Sequence, residues 1–214
     1  MDNDDIKKIK SIPIRLIEQE EASKNLGIIL PGRNYTVQAP LLHFATRILL
    51  KKGFDVLRIN YNLNLPEWSS LHEKDLAGRI QDSIHDGIKN NNYNNIYIVA
   101  KSIGTIYLSY LLEDSRWKDA KLVWLTPLLQ SDDVYHTMLE ATNKGICIIG
   151  NKDYCYIEER IDQLIYNKNL ALSIADKGNH ILEIQDDPIK SIDLLKKVVM
   201  DMNEFIQYEK ALRN

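Results

Sequence analysis

Ile96-Tyr97-Ile98-Val99-Ala100-Lys101-Ser102-Ile103-Gly104-Thr105 is the stretch on which the reading of this sequence turns. Ile96 to Ala100 is a short apolar run of the kind found in strands buried on both faces. An apolar helical stretch, residues 103 to 114, follows at once. Ser102 therefore stands at an abrupt strand-to-helix turn. Such a turn strains the serine backbone and presents its hydroxyl above the sheet. The residues two before and two after must be small, and here they are Ala100 and Gly104. A simpler alternative is that Ser102 only N-caps the helix.

Outward from this turn, short apolar runs alternate with amphipathic stretches. Upstream, Ile12 to Ile17 reads as an opening strand that its proline places near an edge. Leu26 to Leu30 is a strand stopped by Pro31-Gly32, and residues 40 to 52 are a helix ended by Gly53. Asp55 to Tyr61 is a strand and residues 72 to 89 a helix. Downstream come strands Leu122 to Leu125, Ile146 to Ile149 and Leu170 to Ile174. Helices at 131–142, 156–166 and 188–211 separate and close them. Strands in continuous apolar runs that alternate with helices predict an α/β fold: a mostly parallel central sheet with helices on both faces. No repeat or linker divides residues 1–214, so a single domain is expected; Asn90 to Asn95 reads as a surface loop. In such sheets reacting groups gather at the carboxyl ends of the strands.

The turn at Ser102 resembles the nucleophile elbow of the α/β-hydrolase superfamily, G-x-S-x-G, with Ala100 in place of the first glycine. The resemblance runs from about residue 25 to 210, and it implies the α/β-hydrolase fold and a serine nucleophile. In this family the acid follows a late strand, and Gly150-Asn151-Lys152-Asp153 stands directly after Ile146 to Ile149. Asp153 is then the acid, although an aspartate there also suits a helix N-cap. The family's base lies in a loop after the last strand, the place of Lys177-Gly178-Asn179-His180. The resemblance thus implies Ser102, Asp153 and His180 in the family's chain order. It implies an oxyanion hole of backbone N–H groups, one from Ile103 and one from Arg33 or Asn34 in the loop Leu30-Pro31-Gly32-Arg33-Asn34-Tyr35. Asn34, Tyr35 and Trp68 are candidate walls of a substrate pocket; ordinary packing explains Trp68 equally well. Asp132 and Asp133, after the strand that ends near Leu125, are reserve acids, and Asp176 could cap or orient the histidine loop.

The short segment from Ser102 to Asp153 leaves no room for a large lid; residues 127 to 137 form at most a short cap. The expected activity is hydrolysis of carboxylic ester, thioester or related acyl bonds through an acyl-enzyme, on a small-molecule acyl substrate, with no cofactor and no metal. The open alternatives are a binding or scaffold protein with a vestigial triad, and a cofactor-free peroxidase or lyase on the same scaffold.

Composition narrows the remaining classes. The chain has 214 residues, 44% hydrophobic and 27% charged, with a formal net charge of −3. That balance suits a globular protein and carries no basic excess for a nucleic-acid partner. No phosphate-binding G-x-x-x-x-G-K-[ST] or dinucleotide G-x-G-x-x-G occurs, and His43, His72, His85 and His136 lack metal-ligand spacing. Two cysteines, Cys147 and Cys155, make no disulfide framework. The acidic start Met1-Asp2-Asn3-Asp4-Asp5 is not a signal peptide, and no apolar run approaches the ~18 residues a membrane helix needs. A cytoplasmic location away from membranes is expected.

Overall fold

The computed structural model describes residues 12–65, 68 and 70–207. Seven strands form one sheet: β1 (Ile14–Ile17), β2 (Asn25–Leu30), β3 (Asp55–Ile59), β4 (Asn95–Lys101), β5 (Lys121–Leu125), β6 (Gly145–Gly150) and β7 (Leu170–Ala175). Their order is β1-β3-β2-β4-β5-β6-β7. β1 pairs antiparallel with β3 at the edge; the other ladders are parallel. Among the described residues, six helices connect or close these strands: α1 (Pro40–Lys51), α2 (Glu73–Ile88), α3 (Gly104–Leu111), α4 (Asp132–Glu140), α5 (Glu158–Leu164) and α6 (Pro188–Phe205). None of the described helices is long and apolar enough to cross a membrane.

Strand periodicity explains the layers. Alternate side chains of a strand point to opposite faces. In β4, Ile98 and Ala100 enter one core while Tyr97 and Val99 enter the other; Cys147 and Ile149 oppose Ile146 and Ile148 in the same way in β6. Both faces are thus apolar, as a sheet covered on both sides requires. α1 and α6 cover one face and contact each other, while α2, α3, α4 and α5 cover the other.

Local chemistry sets the element ends. Pro40 opens α1, and Gly53 at φ 79° closes it. Gly53 N–H donates to Leu50 O at 3.1 Å and Phe54 N–H to Leu49 O at 3.1 Å, the paired bonds of a Schellman stop. α6 starts at Pro188 behind Asp187, whose carboxylate accepts from Lys190 N–H. The expected helix 188–211 is cut short: α6 ends at Phe205, because Ile206 turns extended (φ −79°, ψ 95°) and buries itself in the second core. The expectation for residues 208–211 lies outside the described residues.

One feature of this order prepares a site. From β2 the chain leaves through α1, on one face, to β3; from β4 it leaves through α3, on the other face, to β5. The loops after the neighbouring strands β2 and β4 therefore part to opposite sides. A crevice opens between them at the carboxyl edge, as at the switch points of open α/β sheets.

Candidate active site

The turn after β4 brings Ser102 to this crevice. Its φ is 53°, in the left-handed region that residues with a side chain seldom adopt. Ser102 N–H still bonds Leu125 O at 3.0 Å, and Ser102 O accepts from both Thr105 N–H (2.8 Å) and the Thr105 hydroxyl (2.6 Å). The turn is thus pinned on both sides of the strained residue. The small residue two places on is obligatory: a Cβ on Gly104 would lie 2.6 Å from Leu30 O and 2.8 Å from Pro31 O. α3 is capped at Ile103 with no side-chain bond, so Ser102 does not serve as its N-cap. Its hydroxyl lies instead 2.8 Å from His180 Nε2.

His180 hangs on the loop after β7. Lys177 takes φ 58°, and the Asn179 side chain accepts from Ile181 N–H and Glu183 N–H at 3.0 Å each, which folds the loop into a compact turn. This turn lies tight against the loop after β6. Lys152 N–H donates to Gly178 O at 3.0 Å, and a Cβ on Gly150 would meet Gly178 O at 1.9 Å. Asn151 and Asp176 add a side-chain bond of 3.0 Å between the same two loops. This close approach carries Asp153 beneath the imidazole: His180 Nδ1 lies 2.8 and 2.9 Å from the two carboxylate oxygens. The Asp153 side chain is fully buried and accepts Cys155 N–H at 2.8 Å. Asp153 is not a helix cap, since α5 is capped at Ile157.

Ser102, His180 and Asp153 therefore form one hydrogen-bonded chain. The reserve acids do not join it: Asp132 pairs with Arg160, and Asp133 accepts from the Tyr110 hydroxyl at 2.9 Å. Cys155 lies close enough to Asp153 and His180 for the three to surround a cation. Burial pushes its thiol up to about 12.

A cleft of about 420 Å³ opens over Ser102. Gly32, Arg33, Asn34 and Tyr35 line it from the loop after β2, Ile103 from the elbow and Leu128 and Gln130 from the loop after β5. Among the described residues, neither the Ile103 nor the Arg33 amide donates to a backbone carbonyl. A Cβ on Gly32 would stand 3.5 Å from Ser102 Cβ, so the loop after β2 closes directly on the serine. Trp68 packs in the core that holds Ile98 and Ala100, 5% exposed, and is not among the described lining of this cleft.

Tyr154, 73% exposed, sets its ring 4.5 Å from the His180 ring and also lines the cleft, as do Glu73 and Ile181. Sequence reading passed over these residues, and Lys101 with them. For Lys101 a signal existed: lysine at the end of a strand buried on both faces is almost never fully buried without partners.

No family model matches this chain, and no curated protein matches it in sequence. Solved structures do match in shape. An esterase of Butyrivibrio proteoclasticus with ferulic acid bound superposes with a TM-score of 0.71 at 14% identity, over 91% of this chain and 93% of that one. An esterase of Pyrococcus furiosus gives 0.64 at 14% identity, over 91% and 92%. A lidless α/β serine hydrolase of Xanthomonas campestris gives 0.63 at 13%, over 92% and 90%. Strand order, a serine elbow at the switch point and near-complete overlap with these structures agree: this chain has the α/β-hydrolase fold.

Proposed function

We propose that this protein is a serine hydrolase of carboxylic esters, thioesters or related acyl bonds. The observation that carries the reading is the continuous chain from Ser102 Oγ through both ring nitrogens of His180 to the buried Asp153. His180 holds its proton on Nδ1, donates it in a hydrogen bond to Asp153, and keeps Nε2 free to accept from the serine hydroxyl. Ser102 Oγ attacks the acyl carbon as His180 takes its proton. The carbonyl oxygen becomes an oxyanion that the Ile103 and Arg33 N–H groups hold. His180 then protonates the leaving alcohol or thiol, and the Ser102 acyl ester remains. Water gives a proton to His180, attacks that ester and frees the acid and the serine.

The cleft supports a modest acyl group. Leu128, Ile181, Tyr35 and the Tyr154 ring give it apolar surface, and Arg33, Asn34, Glu73 and Gln130 a polar border. The esterase and hydrolase neighbours agree with this class of reaction. A fluorophosphonate probe tests the reading. The Ser102 Oγ–P bond forms as P–F breaks, and the serine proton passes to His180. We expect one label per chain, lost in Ser102→Ala and nearly lost in His180→Ala. Folded wild-type protein that takes no label refutes the assignment and favours a binding role for the fold.

A further inference from the structure

One buried cation stands beside this reaction without a part in it. Lys101, the last residue of β4, is fully buried on the face that Tyr97 and Val99 share. Its Nζ donates to the backbone carbonyl of His180 at 2.7 Å and to the Thr126 hydroxyl, and lies 5.0 Å from the centre of the Tyr35 ring. These partners sit on the loops after β7, β5 and β2, so one ammonium fastens three loops of the candidate site. One of its acceptors is the carbonyl of the residue that holds the base.

We propose that Lys101 is a positioning residue: its ammonium clamps the loop that carries His180, and loss of its proton slackens the alignment of His180 with Ser102. This rests on the assignment of Ser102 and His180 above. Burying a charge costs free energy unless its hydrogen bonds are made, and here they are made to groups that the site must keep in register. Hydrogen bonds from an ammonium are about twice as strong as neutral ones, and the attraction to the tyrosine face needs the charge.

Burial lowers the Lys101 ammonium to about 8, against the pull of Asp153 and Cys155. The titratable groups that face it are Asp153 and Cys155 after β6, His180 after β7 and Tyr35 after β2. Burial holds Cys155 up at about 12 and Tyr35 above its usual 10.0, so both stay neutral while Lys101 titrates. His180 acts in its neutral form. A loss of rate just above neutral pH then reports on Lys101.

The test is the rate and saturation of fluorophosphonate labelling from about pH 6 to about pH 10. Three proteins are compared: wild type, Lys101→Met and Thr126→Val. We expect the wild-type rate to fall above pH about 8. Lys101→Met should label about tenfold more slowly below that pH, with little change in half-saturating probe and no alkaline fall. Thr126→Val removes one acceptor from the ammonium, so the fall should move to lower pH. A wild-type rate that stays flat to about pH 10, or an identical fall in all three proteins, overturns the proposal. If Lys101→Met does not fold, the wild-type and Thr126→Val profiles decide alone. Wild type without label at any pH refutes the Ser102 assignment itself, and the clamp falls with it.

Discussion

Replacing Gly104 by alanine should damage stability and chemistry together, and its size follows from the elbow. The added Cβ would stand 2.6 Å from Leu30 O, 2.8 Å from Pro31 O and 3.0 Å from Leu30 C, where ordinary contact begins near 3.4 Å. All three atoms are backbone, so no side chain can swing aside. The end of β2 or the start of α3 must retreat by about 0.8 Å. Forcing a methyl group into close-packed surroundings costs about 1–3 kcal/mol; the stiffer unfolded chain returns about 0.4–1 kcal/mol of it. A net loss of about 1–2 kcal/mol should lower the urea midpoint by about 0.5–1 M. The end of β2 leads into Pro31-Gly32-Arg33, so the same retreat moves an amide proposed to hold the oxyanion. A misplacement near 1 Å costs about 10²-fold in rate. Gly78 supplies the control: it is exposed on α2, and nothing lies within 4 Å of its would-be Cβ. Gly78→Ala should gain about 0.5–1 kcal/mol from helix propensity and leave labelling unchanged. Urea denaturation and fluorophosphonate labelling of both variants decide the matter. Gly104→Ala with wild-type midpoint and wild-type rate would refute the claim that this turn tolerates no side chain.

Asp153→Asn should cut labelling and any ester turnover by about 10³–10⁴, since the amide no longer fixes the ring tautomer, while Asp132→Asn should change rate less than about twofold; the reverse ranking moves the acid to the start of α4. Lys101 also predicts a stability curve. Its folded value of about 8 lies below the usual 10.5, so between these pH values the unfolded chain binds the extra proton and stability rises with pH. Urea midpoints should climb across that window in wild type and stay flatter in Lys101→Met. Asp114 works in the opposite direction at low pH. Its hydrogen bonds from Arg116 hold it down at about 2, so its contribution, present above the ordinary carboxylate range, should fade as pH falls from about 4 towards about 2. A denaturation series on Asp114→Asn, flatter than wild type across that range, checks it.

The core strands were readable because several are continuous apolar runs, and the parallel class followed from their alternation with helices. Strand order was not readable, since an apolar run carries no record of its neighbours; that β1 runs antiparallel against β3 came from coordinates. Helix ends drifted where the stop is tertiary: α6 ends because Ile206 finds a place in the core, not because a breaker follows. At the site, the glycines of Gly150-Asn151-Lys152-Asp153 and Lys177-Gly178-Asn179-His180 marked loops of the right kind. Their meaning, that the two loops touch backbone to backbone at Gly150 and Gly178, lies in three dimensions. Trp68 stays open in sequence because an aromatic residue between elements reads alike as pocket wall or core, and its burial is a tertiary fact. Lys101 was missed because a binary pattern assigns every lysine to solvent.

The departures from local rules form a pattern of their own. Positive φ at a residue with a side chain occurs at Ser102, Thr126, Lys177, Leu182 and Asp186 among the described residues. Ser102 and Thr126 end neighbouring strands, and Lys177, Leu182 and Asp186 shape the loop that bears His180 and leads to α6. Thr126 is β-branched, for which such a backbone is a true outlier. The fully buried Lys101 belongs to the same end of the sheet and bonds the outlier at Thr126. Each such feature costs on the order of 1–3 kcal/mol and persists where the surroundings over-determine it. The amino ends of the strands bear none of these positive-φ residues among the described ones, although Asp55 and Asn95 are buried there. A chain that needed the sheet for shape alone would have no physical reason to gather its disfavoured conformations at one edge. Their gathering at the carboxyl end of the sheet, with Ser102 itself in the cleft, fits the proposed site and adds backbone geometry to the hydrogen-bonded chain of Ser102, His180 and Asp153.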